Sequence, residues 1–311
     1  MRIAIIDMGT NTFNLLIADT TKSKKFNIIF KDQTGVKLGK GGINKKLITP
    51  EAFQRGIDAI EKHLKTIQNF KADKIYTTAT SGVRSTQNGN EFVETLKKQF
   101  NIKIQIISGD EEAELIYRGV KQAVAFNEHN VLILDIGGGS NEFIIANKSG
   151  LLWKKSFDLG IARLLDQFNP SDPITMNEIT AVEKFIDQQL ISLYKAVEKY
   201  HPTKLIGCSG TFDSFRAMIL AKIKTIPKEI KKQNHYEIKL SDYSHLHQEL
   251  IKSTTAERLK MEGLEIVRVE MIVLASIFVN FILRKLNLKT IVQSDFAIKE
   301  GLIDKILNSK I

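Results

Sequence analysis

The chain has 311 residues, 43% hydrophobic and 26% charged, the composition of a globular protein long enough for two domains. A single cysteine, Cys208, excludes an intramolecular disulfide and any multi-cysteine metal site, and points to a reducing, cytoplasmic setting. Lysine and arginine number 45 against 35 acidic residues, and the surplus of +10 favours an anionic partner through long-range attraction without saying which one.

The start, with an acidic residue at position 7 and no small-residue cleavage site, reads as a strand rather than a signal peptide. Residues 3–6 are apolar without alternation, as in a central strand covered on both faces, and residues 13–19 and 26–30 continue the sheet. The loop 35–42 reads as flexible and basic: Lys37 and Lys40 either touch a phosphate chain or, as is commoner for such a loop, are simply solvated. Thr49, Pro50 and Glu51 open a helix whose buried face is Phe53, Ile57, Ile60, Leu64 and Ile67; His63 has no second ligand and is structural. After a strand at 74–78 the turn presents Thr80, Ser81 and Arg84, a guanidinium able to fork onto a phosphate. Another strand at 102–107 ends in Ser108-Gly-Asp-Glu-Glu-Ala-Glu114, where Ser108 and Glu111 have capping-box spacing and the acidic first turn suits the helix dipole. That leaves Glu112 free, although the residues alone do not choose among the four carboxylates.

Residues 131–147, VLILDIGGGSNEFIIAN, form a hairpin whose turn is rich enough in glycine to bring backbone N–H groups to an anion. Residues 4–19 align on 132–147 without a gap at an offset of 128, placing Asp7 on Asp135, Gly9 on Gly137 and Thr12 on Ser140. A self-match of so long a period predicts two related lobes, each with one strand-turn-strand element. Further on, the turn Gly160-Ile-Ala-Arg163 makes Arg163 a candidate to reach the cleft. Thr175 caps a long helix over 177–200 with the stripe Ile179, Val182, Ile186, Leu190 and Leu193. A strand at 204–208 runs into Ser209-Gly210-Thr211, a ready anion or nucleotide contact at a helix start. Residues 221–247 read as a lysine-rich, mobile excursion with few apolar anchors, and His245 and His247 do not face the same side of a helix. The longest apolar run, 271–283, is too short to span a bilayer and reads as a buried helix; residues 302–307 form a helix that docks back on the first lobe.

Asp7-Met-Gly-Thr-Asn-Thr12 and Asp135-Ile-Gly-Gly-Gly-Ser-Asn-Glu142 resemble the two phosphate motifs of the actin, sugar-kinase and heat-shock-chaperone superfamily. Ala79-Thr-Ser-Gly-Val-Arg84, Ile107-Ser-Gly-Asp-Glu-Glu-Ala113 and Gly207-Cys-Ser-Gly-Thr211 narrow the resemblance to the exopolyphosphatase and guanosine pentaphosphate phosphohydrolase family. The motifs come in the family's order and the likeness covers residues 3–302, with Lys299 in the closing signature. Asn141 stands where the family commonly has Thr, and Glu270 where it has Asp.

The resemblance implies an α/β fold of two actin-like (ribonuclease H-like) lobes, each a mixed sheet flanked by helices, with an interlobe cleft. The first lobe would comprise 1–123 with 298–311, the second 124–297. It implies Glu112 as the residue that activates the attacking water and Arg84 as the group that steadies the terminal phosphate. Phosphate oxygens would lie on Gly9, Thr10, Asn11, Thr12, Gly137, Gly138, Gly139, Ser140, Gly210 and Thr211. Mg²⁺ or another divalent cation would sit at Asp7, Asp135 and Glu142. The expected substrate is inorganic polyphosphate, hydrolysed to release orthophosphate, with guanosine pentaphosphate as the alternative. The chain ends soon after the two-lobed core, without the additional C-terminal helical domain of longer members, so an extended polyphosphate channel is less expected. An ATP-binding kinase or actin-like switch is the rival from another class, and the stretch 108–114 stands against it. Neither a nucleic acid polymer nor a membrane is an expected partner, and a homodimer is left open.

Overall fold

Two sheets organise residues 1–223 and 233–308, which the computed structural model describes. The first runs β3-β2-β1-β4-β5, with β1 Arg2–Met8, β2 Thr12–Thr20, β3 Phe26–Gly35, β4 Lys74–Ala79 and β5 Ile104–Ile106. The second runs β10-β11-β9-β6-β7-β8, with β6 Val131–Ile136, β7 Asn141–Asn147, β8 Gly150–Phe157, β9 Lys204–Cys208, β10 His235–Ile238 and β11 Ile291–Ser294. β1, β2 and β3 pair antiparallel, as do β6, β7 and β8. β1 then lies parallel to β4 and β4 to β5, just as β6 lies parallel to β9 and β9 to β11. The self-match is thus a repeat of topology as well as of sequence, and the molecule is an α/β protein of two actin-like lobes.

The unbroken apolar runs of β1 and β6 have the reason expected, burial on both faces. Ala4, Ile6 and Met8 join a core with Ile57, Ile60 and Phe92 of the helices Pro50–Asn69 and Gly89–Phe100. Ile3 and Ile5 face the other way, into a middle layer that also holds Ile133 and Ile144 of the second sheet. Between the sheets in that layer lie the helices Gly109–Ala123 and Ile298–Asn308, contributing Leu115, Ile116, Leu302 and Ile303. Each fully buried isoleucine there contributes about 1.5–3 kcal/mol relative to exposure. Side chains alone do not bring the two helices together. A Cβ at Gly301 would lie 1.7 Å from the Leu115 carbonyl oxygen and one at Gly119 1.9 Å from that of Ala297, so the backbones touch. The helix Gly109–Ala123, with Glu111 and Glu112 in its first turn, is therefore pinned under the cleft.

Local signals explain where this helix begins. Ser108 accepts from the Glu111 amide and the Glu111 carboxylate accepts from the Ser108 amide, the reciprocal box its spacing predicts. Thr49 caps its helix too, and His63 is fully buried with Nε2 3.2 Å from the Phe13 carbonyl, a structural role. Residues 272–285 form the expected buried helix, and no described helix is long and apolar enough to cross a membrane.

Three expectations change. The helix capped by Thr175 is two helices, Met176–Gln189 and Ile191–Tyr200, meeting at Leu190; all five stripe residues are buried, so the break does not cost the core face. Loop 35–42 is not a solvated excursion: Val36 and Leu38 are fully buried, and only Lys40 of its two lysines is exposed. In the stretch 221–247, residues 224–232 lie outside the described residues, while 235–238 form the edge strand β10 and 240–252 a helix anchored by Tyr243, Leu246 and His247. His245 is exposed and His247 buried, on different sides as expected.

Candidate active site

Each lobe presents one turn to the other. In the first, Asp7 pairs across β1 and β2 with Asn14 and the Gly9 amide donates to the Thr12 carbonyl at 3.0 Å. In the second, Asp135 pairs with Glu142 and the Gly137 amide donates to the Ser140 carbonyl at 3.1 Å. The sequence repeat thus reaches individual hydrogen bonds.

The remaining turn carbonyls are satisfied from outside. Val36 and Lys37 amides donate to the Asn11 carbonyl at 2.9 and 2.8 Å, and the Gly39 amide to that of Thr10 at 3.2 Å. On the second turn, Ile161 and Ala162 amides donate to the Gly137 and Gly138 carbonyls at 3.0 and 2.8 Å, and Arg163 Nε to the Gly139 carbonyl at 2.7 Å. The amides of Thr10, Asn11, Gly138 and Gly139 donate to no acceptor among the described residues. Backbone donors kept unpaired at a cavity wall are what an anion site requires. The turns touch: a Cβ at Gly139 would lie 2.5 Å from Thr10 Oγ1 and 2.6 Å from Ser81 Oγ.

Between them lies a cavity of about 150 Å³ whose wall includes Asp7, Glu112, Asp135, both turns and Ser209-Gly210-Thr211. Lys37 Nζ meets Glu270 Oε2 at 2.6 Å and Gln33 Nε2 donates to Glu265, so the segment before the helix Ile272–Lys285 is tied across to the first sheet's edge.

The carboxyls here resist ionisation, and burial is the main cause throughout. Asp7 is pushed up by burial against relief from the nearby Lys299 charge. Asp135 is pushed up to about 6 although Ser209 Oγ donates to its Oδ2 at 2.6 Å. Glu142 is pushed up to about 7 by burial and then by the charge of Asp135, against hydrogen bonds from Ser156, at 2.7 Å, and Ser140. Glu112 is held well above the ordinary carboxylate range by burial and the charge of Glu142, opposed by Arg84. A bound cation would relieve this strain.

Of the residues named from the sequence, Gly9 to Thr12, Gly137 to Ser140, Gly210, Thr211, Asp7, Asp135 and Glu112 all line the cavity. Arg84 does not. It stands behind Glu112, with Nη1 donating to Glu112 Oε2 at 2.9 Å and to the Ile107 carbonyl at 2.8 Å. Glu142 also stands back from the wall, and among the described residues no three His, Cys, Asp or Glu side chains are grouped to hold a metal by themselves. Asp7 and Asp135 still fit one. Both line the cavity, Asp7 Oδ1 is buried without a hydrogen-bond partner, and Mg²⁺ is commonly held by one or two carboxylates with substrate phosphates completing the shell.

Other wall residues were legible only in part: Ser209 opens the turn named above as an anion contact, whereas Asp213 and Asp295 carried no local signal. Asp213 and Asp295 both accept from Gln293 Nε2, at 2.8 and 2.9 Å, and Asp295 also accepts from Arg216 Nη1 at 2.6 Å. Ser209, a non-glycine residue at φ +64, holds Asp135 from a left-handed backbone, a strain that sequence does not disclose. The Arg268 guanidinium lies directly on Gly210, where a Cβ would fall 1.5 Å from its Nη2.

The family model for the Ppx/GppA phosphatase family matches residues 16–310. An exopolyphosphatase from Cytophaga hutchinsonii has a crystal structure that superposes with a TM-score of 0.94 at 39% identity, covering 99% of this chain and 98% of that one. Exopolyphosphatase 1 of Mycobacterium bovis is 23% identical over the whole chain and 89% of its own length. A bifunctional 3-dehydroquinate synthase/phosphatase of Fusobacterium nucleatum is 36% identical over 173 residues, which are 53% of this chain and only 26% of that protein.

Proposed function

The chain belongs to the Ppx/GppA phosphatase family, whose members are phosphoanhydride hydrolases, and on that premise we propose that it removes the terminal phosphate of inorganic polyphosphate as orthophosphate. The observation that carries the proposal is the placing of Glu112, a carboxyl oriented by Arg84, on the wall that also carries both turns.

In this reading the free amides of Thr10, Asn11, Gly138 and Gly139 grip phosphate oxygens, with Gly210 and Thr211 at the far wall. Glu112 takes a proton from the attacking water as its oxygen bonds the terminal phosphorus; the bridging P–O bond breaks and the shortened chain leaves with the bridging oxygen. Arg84 aims Glu112, and its charge favours the ionised form against burial and the charge of Glu142. Asp7 and Asp135 would hold Mg²⁺ or another divalent cation, which would supply positive charge to offset that of the phosphates. We place residues 1–123 and the helix Ile298–Asn308 in the first lobe, residues 124–297 in the second, and the enzyme in the cytoplasm.

One observation favours a second substrate, guanosine pentaphosphate. Next to the small cavity lies a larger one of about 680 Å³ that shares Thr10, Asn11 and Met271 with it and has an apolar wall of Leu165, Ile174 and Leu274. That wall suits a nucleoside better than a phosphate chain. Orthophosphate release measured in parallel from long polyphosphate and from guanosine pentaphosphate, with and without Mg²⁺, tests the proposal. No release from either would overturn it.

A further inference from the structure

Arg163 opens the helix Ile161–Phe168 beside the second turn, and its side chain is only 12% exposed. Its guanidinium donates in three directions. Nε reaches the Gly139 carbonyl at 2.7 Å, Nη1 the Ile43 carbonyl at 3.2 Å and Nη2 the Ser85 hydroxyl at 2.7 Å. Ser85 Oγ passes the contact on to the Ser81 carbonyl at 2.7 Å, and Asn44 Nδ2 donates at 3.1 Å to the Arg163 carbonyl itself. One side chain thus bonds the second phosphate turn to two segments that follow the first sheet's strands.

Charge pairing does not account for this placement. The nearest carboxylate, Asp158, is 3.7 Å away and 75% exposed, so solvent screens the pair. The acceptors themselves fix the position, and their spread matches a planar fork that an ammonium cannot reproduce. Ser85 directly follows Arg84, whose Nη1 orients Glu112. The run Gly139–Arg163–Ser85–Arg84–Glu112 therefore connects the turn that would hold the substrate to the group that would activate water.

We propose that Arg163 is a positioning residue for the hydrolysis: it clamps the second turn against the Ser81–Arg84 turn and so sets the distance between bound phosphate and Glu112. The inference rests on the function proposed above, and Arg163 itself touches no reacting atom.

Two measurements separate the inference from that function. The first is steady-state orthophosphate release by Arg163→Lys, Ser85→Ala and the double variant. Arg163→Lys lowers kcat about 10- to 100-fold, the cost of a small misplacement at a reacting centre. KM changes by less than about threefold, because the amides that grip phosphate remain. The double variant is no worse than Arg163→Lys alone, because both act through one contact. Millimolar guanidinium partly restores Arg163→Ala and does nothing for Glu112→Gln. The second is hydrogen exchange of the bonded backbone amides of Val83, Arg84, Ser85 and Gly137 in the protein without substrate, which Arg163→Lys speeds. Retention of kcat within about twofold, or unchanged exchange in both turns, overturns the inference. If the wild-type protein releases no orthophosphate from either substrate, the functional reading fails, and the exchange measurement still decides whether Arg163 clamps the turns. Should Arg163 variants melt below assay temperature, Ser85→Ala alone decides: full activity overturns the inference.

Discussion

Arg84 contacts Glu112 through a single nitrogen, Nη1, at 2.9 Å, and the same nitrogen donates to the Ile107 carbonyl at 2.8 Å. The Glu112 carboxyl is thereby fixed to the end of the strand that precedes its own helix, and a cation stands behind it rather than across the cavity. A group so placed acts on Glu112 first and on the phosphate through Glu112.

Glu112→Gln keeps the shape and the Arg84 contact but cannot accept a proton. Orthophosphate release falls by about 10²- to 10⁴-fold, the usual contribution of a general base. The melting temperature stays at or above that of the wild type, because burial already opposes the charge that the substitution removes. Unchanged turnover in a discontinuous phosphate assay would end the assignment. Arg84→Met, by contrast, removes the cation that opposes the upward push on Glu112, so the acidic limb of the pH–rate profile moves to higher pH.

Gly139→Ala tests the contact between the two turns. Its Cβ would press on Thr10 Oγ1 and Ser81 Oγ at 2.5 and 2.6 Å, and both hydroxyls are on short side chains with little room to yield. The contact between the turns is lost, and release drops at least tenfold, an order of magnitude expected when reacting groups are displaced. Small-angle scattering should show a larger radius of gyration than for the wild type. Gly210→Ala has a smaller effect, since its Cβ meets the end of the flexible Arg268 side chain rather than the opposite turn.

Much of this was legible in the chain. The repeat at an offset of 128 carried the two-lobe topology, because strand pairs with the same apolar run and the same turn fold the same way. The capping box at Ser108 and the cap at Thr175 were legible because they are local. Long-range contacts were not. Arg84 behind Glu112, Ser156 against Glu142 and the wall carboxylates Asp213 and Asp295 join residues far apart in sequence, with no periodicity to announce them. Loop 35–42 misled because its lysines and glycines hid Val36 and Leu38, whose burial depends on the turn they pack beneath. The break at Leu190 has neither proline nor glycine to mark it.

Activity and stability should run in opposite directions with pH. Asp135, raised from 3.8 to about 6 in the folded state, binds its proton more tightly there than in the unfolded chain. Its contribution to stability is fully present below about pH 4 and lost as pH rises to about 6, amounting to roughly 3 kcal/mol. Glu142, raised to about 7, extends the loss upward. Acid denaturation of other, paired carboxylates opposes this at the low end, so the test is a comparison. In urea melts of metal-free protein, Asp135→Asn flattens the decline between pH 4 and 6. Orthophosphate release instead climbs over this range and beyond, as Glu112 ionises. A wild-type stability curve parallel to that of Asp135→Asn would show that burial does not raise this carboxyl.

The proposed metal dependence rests on the unpartnered Asp7 Oδ1 and its neighbour Asp135 on the cavity wall. Chelation with EDTA abolishes orthophosphate release and added Mg²⁺ restores it. Binding also registers without turnover, since an ion held only by the folded state adds about 2.7 kcal/mol when present at a hundred times its dissociation constant. Melts of the protein with tripolyphosphate should therefore rise with Mg²⁺ in the wild type and fail to rise in Asp7→Asn. The Asp7→Asn protein without metal is no less stable than the wild type, because the substitution removes a charge whose burial outweighs the relief from Lys299 and Asn14. Full activity in EDTA, together with a Mg²⁺ response preserved in Asp7→Asn, would mean that no cation works at these two carboxylates and that Lys299 beside them carries the neutralising charge alone.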